Sequence, residues 1–497
     1  MNPMDFPSLL RMMPRELAGL LPEIFLATGI LLAMVSEFLP GGSRRGTLWF
    51  SALVALCSLG LSGIGVAGAD PAGLRFSPDV LTQFVRLYAS LGALMAVLSL
   101  AGSDHWKTRA EAGEAAILVL AVALGAMLFA SATNLVSVLL SLEFLSLCSY
   151  GLAGFRGRDA RASEAGLKYV LYGGVASSVA VFGMSHVFGM TGSLDLRAIG
   201  QILSLGGPDA TVLVPLILVG VAFGYKLSLV PFHFWAPDVY QGAPAIVAGF
   251  LSTVPKAAGF AGLVHILLSL FPSWSPLLPG SALAVFLALF GSLSTLVGAV
   301  AAGLQKDARR LLAFSSVANA GTMLVVLSSW ITAEAIAALG FFLLVYLFSN
   351  FGAFLALDRL ERHAGDSRLE SFRGAWKRRP ATVVALGLCL FSLAGIPPLA
   401  GFTAKWSLVR EVLRSGFDGN LGWVSLLASA VVLGSALSLA WAYLGLVRAT
   451  VVDDPETSET PSVSILSGAV LALCAAGVVV LGWGWPVLDL LRRHLAG

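Results

Sequence analysis

Apolar stretches of spanning length follow one another from near residue 15 to near residue 488, and the longest polar stretches between them are only 357–379 and 448–463. A helix needs about 20 apolar residues to cross the hydrocarbon core of a bilayer. In lipid a backbone must satisfy its own hydrogen bonds, and runs this long do so as helices. Composition agrees: 57% of residues are hydrophobic, 12% are charged and the mean hydropathy is +0.86. Soluble domains carry about a quarter charged residues. The reading is an all-α polytopic membrane protein. Fourteen spans are expected, near 15–38, 47–68, 79–101, 113–131, 134–154, 166–189, 211–230, 244–270, 280–302, 309–328, 333–356, 381–414, 423–446 and 464–488. The first lacks the pattern of a removed signal and has Glu23 and Glu37 within or beside it, so it reads as a retained span.

Into these stretches the chain places charges. Glu143 lies in LVSVLLSLEFLSLCSYGLAGF, Lys226 in LILVGVAFGYKLSLVPFHFW, Lys256 in IVAGFLSTVPKAAGFAGLVHILL and Lys405 in GIPPLAGFTAKWSLV. A charge at the bilayer centre costs roughly 2.5 to 3.5 kcal/mol on insertion scales and more on others, so such groups face a protein interior or a wet cavity and mark ion or proton paths. The cysteines Cys57, Cys148, Cys389 and Cys474 are scattered through apolar segments with no metal spacing and read as small hydrophobes. A formal net charge of +3 gives no argument for nucleic acid.

Lysine and arginine counts set the expected orientation. Alternate loops hold 18 on one side and 8 on the other, with Arg86, Lys168, Lys226, Lys256 and Lys405 inside the spans. The basic side, which includes the loop 359–379, is expected in the cytoplasm and both termini in the periplasm of a bacterial inner membrane.

Two spans carry breaks. The seventh runs into Pro231 and PFHFWAPDVYQGAP; the twelfth is interrupted by Gly395, Pro397, Pro398 and Gly401. Proline removes an amide donor and clashes with the carbonyl four residues back, which frees the carbonyls of Leu227 and Leu393. Lys226 and Lys405 lie close to these breaks. Matched broken helices with nearby charge point to inverted repeats around a transport path. The expected organisation is an N-terminal segment 1–112, a first repeat 113–270, a second repeat 280–447 and a C-terminal segment 448–497.

The stretches NLVSVLLSLEFLSLCSYGLAGF, SEAGLKYVLYGGVASSVAVFGMSHVFGMTGSLDL and GYKLSLVPFHFWAPDVYQGAPAIVAGFLSTVPKAAGFA, with LQKDARRLLAFSSVANAG, LFSNFGAF and FSLAGIPPLAGFTAKW further on, closely resemble the antiporter-like membrane subunits of proton-pumping NADH:quinone oxidoreductase, respiratory complex I, on the subunit N branch. The resemblance covers roughly residues 80–450. One departure is Gln241, where the family often has an acid.

The resemblance implies a proton relay of Glu143, Lys226, Lys256 and Lys405, with Glu143 paired to Lys226, Lys256 at the centre and Lys405 at the far side. Burial disfavours a charged form and an opposite charge restores it, so movement of Glu143 would release the Lys226 proton, with water joining the groups. A fixed ion pair is the structural alternative for Glu143 and Lys226. His233 in the first break is a further proton-passing candidate or a loop anchor, and Asp238 and Tyr240 read as shaping that segment. Lys168 is either an interior relay or an interfacial anchor. Arg86 and Glu334 read as interfacial or subunit contacts, His186 and His265 as core or interface histidines, and Lys306, Arg309 and Arg310 as a solvated loop. The chain has no dinucleotide-binding fingerprint, iron–sulfur cysteine cluster, haem motif or phosphate-binding loop. The resemblance therefore implies that NADH, FMN, iron–sulfur clusters and quinone belong to partner subunits, that this chain binds no cofactor, and that its partners are other membrane subunits, antiporter-like neighbours above all. A subunit of a multisubunit cation/proton antiporter and a membrane subunit of a related hydrogenase-like complex are the alternatives.

Overall fold

The computed structural model describes residues 19–38, 44–64, 79–103, 109–155, 159–206, 210–271, 282–329, 332–418, 422–451 and 464–496. Arg11, Arg15, Arg75, Lys107, Arg156 and Arg158, which entered the charge count, lie outside them. The described residues form helices and turns, with two isolated backbone bridges, Asn134 to Asp195 and Asp307 to Arg368, in place of any sheet. The helices are α1 (Leu21–Phe38), α2 (Arg44–Ile64), α3 (Val80–Ala101), α4 (Arg109–Ser131), α5 (Leu135–Ala153), α6 (Ala160–Thr191), α7 (Leu196–Gly206), α8 (Ala210–Lys226), α9 (Trp235–Gly242), α10 (Ala245–Leu251) and α11 (Val254–Leu270). There follow α12 (Ala282–Gly303), α13 (Ala308–Val326), α14 (Ala333–Tyr346), a π turn (Leu347–Phe351), α15 (Gly352–Ala364), α16 (Ala375–Arg378), α17 (Pro380–Ala394), α18 (Ala400–Asp418), α19 (Gly422–Val451), α20 (Ile465–Val480) and α21 (Trp485–Ala496). Ten apolar segments among the described residues are long enough to cross a membrane, and Val214–Lys226 and Pro380–Ala394 are shorter apolar helices. Among the described residues helix lies in every expected span, the seventh and twelfth are broken as expected, and the count of fourteen is not fixed by them.

Helix starts follow local chemistry. Asp79, Asn134, Asp159, Asp307 and Thr332 sit at N-caps, and each side chain accepts from a backbone amide of the first turn. Close helix packing relies on small residues, because lipid supplies no hydrophobic drive between apolar helices. A Cβ on Gly298 would stand 2.4 Å from the Ala318 amide nitrogen, and one on Gly321 2.4 Å from the Thr295 nitrogen, so α12 and α13 touch backbone to backbone.

Several readings of the sequence change here. The eighth span is not one helix: Ser252 and Thr253 form a turn between α10 and α11, and Lys256 lies in the first turn of α11. Conversely, α14, the π turn and α15 run on through Arg359 and Arg362, counted above as loop residues. Arg359 is buried and donates to Ser467 Oγ on α20 at 2.6 Å. Arg86 is not interfacial. Its side chain and that of Glu23 are 3% and 4% exposed, with Arg86 Nε to Glu23 Oε1 at 2.6 Å and Arg86 Nη2 to Glu23 Oε2 at 3.0 Å, a two-pronged bond tying α3 to α1. His265 pairs with Asp79 at 2.5 Å, joining α11 to the cap of α3. His186 is exposed, its ring against Phe182, and is no core residue.

Breaking a buried ion pair on one side leaves the other charge uncompensated, at about 3–5 kcal/mol. Glu23→Gln is expected to lower the unfolding temperature of the solubilised protein clearly, while Glu23→Gln with Arg86→Met recovers most of the loss. Thermal unfolding of the three variants checks this.

Candidate functional site

The first break begins at Lys226. The chain leaves the helix there, Ser228 takes a left-handed backbone with φ of 58°, and α9 starts at Trp235. The departure comes before Pro231, and the Tyr225 carbonyl at the helix end accepts both the Ser228 amide and the Trp235 indole, each at 3.0 Å. Val230 N donates to Ser294 Oγ on α12 at 3.0 Å. The break is thus re-satisfied by protein groups, as lipid requires.

Lys226 is 1% exposed and donates to Ser146 Oγ at 3.2 Å, its ammonium 6.0 Å from the Tyr169 ring centre. Glu143, one turn before Ser146 on α5, is half-buried. The expected contact is not formed: no oxygen of Glu143 comes within 4.0 Å of Lys226, and Glu143 Oε1 has no hydrogen-bond partner among the described residues. The fixed ion pair fails with it.

Lys256 is wholly buried and donates to both Oγ and the carbonyl of Ser316 on α13, each at 2.9 Å. Lys405, 6% exposed, donates to the carbonyls of Leu393 at 2.7 Å and Ala394 at 3.2 Å. These are the last carbonyls of α17, left without amide partners where the chain turns at Gly395, whose φ is 88°. The carbonyl expected to be freed by Pro397 is thus the one Lys405 takes. Gly401 permits the approach, since a Cβ there would lie 1.6 Å from the Ser392 carbonyl oxygen. None of the three lysines has a carboxylate within 4.0 Å among the described residues.

Between Lys226 and Lys256 runs an aromatic wall. Tyr150, Tyr169, Trp235 and Tyr240 stack or meet edge-on at centroid distances of 4.7, 4.3 and 5.7 Å in that order. The hydroxyls of Tyr240 and Tyr346 lie near Ser316 but outside hydrogen-bond geometry, and with Ser228 Oγ they are buried without partners. Buried polar atoms of this kind call for ordered water. His233 is 7% exposed, with Nδ1 also unpartnered, beside Phe234 and Phe314.

At one end of this line lies an ionic clasp that the sequence did not reveal. Asp238 on α9 accepts from Lys168 at 2.7 Å and from Arg310 at 2.6 Å. Lys168 also pairs with Glu164 at 2.6 Å and is about one third exposed, which ties it into the clasp and not into the chain's interior. Arg309 pairs with the buried Glu361 and donates to the carbonyls of Gln241 and Ala243 at 3.0 and 2.7 Å. Arg309 and Arg310 are therefore bound to the first break, not simply solvated. Gln241 accepts from Arg310 at 3.1 Å and donates to Asp307 at 2.9 Å, a double role its neutral amide fills and a carboxylate cannot. Polar residues in otherwise apolar runs, Asn319 and Asn350 above all, were the available signal for the interior groups; nothing local marked the clasp.

Comparison with known proteins follows this geometry. Residues 132–437 match the family model described as the NADH:quinone oxidoreductase/Mrp antiporter transmembrane region. The chain belongs to this family. It is 36% identical over 485 residues to NADH-quinone oxidoreductase subunit N of Anaeromyxobacter sp. (strain Fw109-5), covering 93% of each chain. It is 37% identical to NADH-quinone oxidoreductase subunit N 2 of Sorangium cellulosum (strain So ce56), covering 97% of each. A chain in the structure of respiratory complex I from Thermus thermophilus with bound aureothin superposes with a TM-score of 0.76 at 34% identity, over 94% of this chain and 98% of that one. The membership places the chain on the subunit N branch of antiporter-like membrane subunits.

Asp238→Asn removes the charge that holds Lys168 and Arg310. Faster hydrogen exchange across 228–242 is the expected result, read by mass spectrometry, with α12 unchanged as the internal control.

Proposed function

We propose that the chain carries protons across a bacterial inner membrane as a subunit of NADH:quinone oxidoreductase, through Glu143, Lys226, Lys256 and Lys405, driven by quinone reduction in partner subunits. One observation carries the reading: three lysines are buried on separate helices, each held by hydroxyls or backbone carbonyls and none by a carboxylate. A structural role for a buried charge calls for a paired countercharge. Neutral acceptors instead hold a lysine whether or not it carries its extra proton. Lysine suits this because its proton affinity moves readily with its surroundings, whereas arginine keeps its charge.

The relay runs from Glu143 and Lys226, past the hydroxyls of Ser228 and Tyr240, to Lys256 on Ser316, and on to Lys405 at the second break. Water against the unpartnered hydroxyls bridges the gaps. Glu143 tunes Lys226 without touching it, so a shift of either helix changes the pull. His233, buried at the first break, is a side branch. The pairing of the two breaks supports repeats 113–270 and 280–447, flanked by 1–112 and 448–497. NADH, FMN, iron–sulfur clusters and quinone belong to partner subunits, and the neighbours in the membrane include antiporter-like subunits. The family also takes in Mrp antiporters, but the relatives at 36% and 37% identity carry the quinone oxidoreductase name.

Lys226→Arg and Lys256→Arg test the relay. Each keeps the positive charge and removes the transferable proton, so proton uptake in sealed vesicles should fall on the order of a hundredfold, as when a proton-transfer group is lost. Pumping at normal rates in assembled complex would show that these lysines are scaffolding. Orientation is tested separately. A cysteine at Arg373 should resist impermeant thiol reagents in intact cells and react in inverted vesicles, with the termini showing the opposite pattern.

A further inference from the structure

The π turn Leu347–Phe351 interrupts one long helix formed by α14 and α15. Such turns carry one extra residue, locally rotate the side chains that follow, and recur at functional sites. Here two consecutive residues of the turn reach two different helix breaks. Asn350 Nδ2 donates to Ser252 Oγ at 2.6 Å, at the turn between α10 and α11, four residues before Lys256. Ser349 Oγ shares a hydrogen bond of 2.8 Å with Ser392 Oγ in the last turn of α17. Ser392 Oγ in turn accepts from Gly401 N at 3.1 Å, which closes the second break four residues before Lys405. Asn350, Ser349, Ser252 and Ser392 are all fully buried or nearly so. In a regular α-helix neighbouring side chains diverge by about 100°, and residues next to each other do not share a face; the divergence here is used to hold one break on each side.

We propose that the π turn is a positioning element that couples the two breaks, so that the backbone beside Lys256 and the backbone beside Lys405 shift together. A change at Lys256 that moves Ser252 pulls on Asn350. The turn then displaces Ser349, and with it the Ser392–Gly401 bond that shapes the carbonyl pair on which Lys405 rests. Ser349 and Asn350 touch neither lysine and act through the breaks. The functional side of the proposal rests on the proton-relay reading; the mechanical coupling does not.

The test uses Ser252→Ala and Ser392→Ala, each made in the assembled membrane complex, with Asn350→Leu as a third variant. Both serine substitutions only remove a hydroxyl, so they remain informative if Asn350→Leu does not assemble. Hydrogen exchange is read at 252–256 and at 394–401. Coupling predicts that either serine substitution speeds exchange at both breaks by about fivefold, the opening expected from losing one net hydrogen bond. A local role predicts acceleration only at the break that carries the substitution, and that result overturns the proposal. Proton uptake is measured alongside. If Lys256→Arg pumps normally while both breaks still respond together, the relay reading fails and the coupling stands. If Lys256→Arg abolishes pumping and each break responds alone, the relay stands and the coupling fails.

Discussion

Everything in this protein is arranged around the difficulty of holding charge away from water. The molecule answers it in two ways, with different side chains. Two arginines are matched by carboxylates: Arg86 takes Glu23 with two prongs, and Arg309 takes Glu361, while the buried Arg359 rests on the Ser467 hydroxyl. The planar guanidinium suits a carboxylate and does not give up its proton. Among the described residues the lysines at 226, 256 and 405 have no such partner and rest on hydroxyls and carbonyls. The two kinds of setting differ in the acceptor offered: a carboxylate for Arg86 and Arg309, neutral oxygen for the three lysines.

Broken helices supply those oxygens. A helix end leaves carbonyls without amide partners, and inside a membrane no solvent takes them up. At α17 the ammonium of Lys405 does so; at α8 the indole of Trp235 adds a second donor to the Tyr225 carbonyl, which the Ser228 amide also meets. The breaks are therefore binding devices for polar groups as much as interruptions of the backbone. The clasp of Asp238, Arg310, Arg309 and Glu361 anchors the first break from outside the aromatic wall, and Gln241 sits within it as an amide that gives and receives.

Much of the site could be read along the chain because charge in an apolar run is conspicuous. Glu143, Lys226, Lys256 and Lys405 stood out for that reason, and Pro397 correctly pointed to the Leu393 carbonyl. The Glu143–Lys226 contact did not follow, because a family pattern says which residues occur and not how close two helices bring them. The unbroken eighth span was misread because Ser252, Thr253 and Pro255 resemble ordinary small and polar residues of a spanning helix. Arg86 was read as an interfacial contact because its partner Glu23 lies 63 residues away, and the pairing of His265 with Asp79 spans 186 residues and was equally out of reach.

The amino-acid sequence alone determined that the chain is helical and lies in a membrane, since only long apolar runs can satisfy their own backbone there. It also determined which groups are costly to bury, because that depends on residue type and neighbours along one helix. Only the tertiary structure decided which of those groups are paired and which stand on neutral acceptors. It alone brought Ser252, Asn350, Ser349 and Ser392 from three separate stretches into one thread. Pairing is a matter of a few ångströms between helices, and a sequence fixes periodicity within a helix but not the distance and rotation between two.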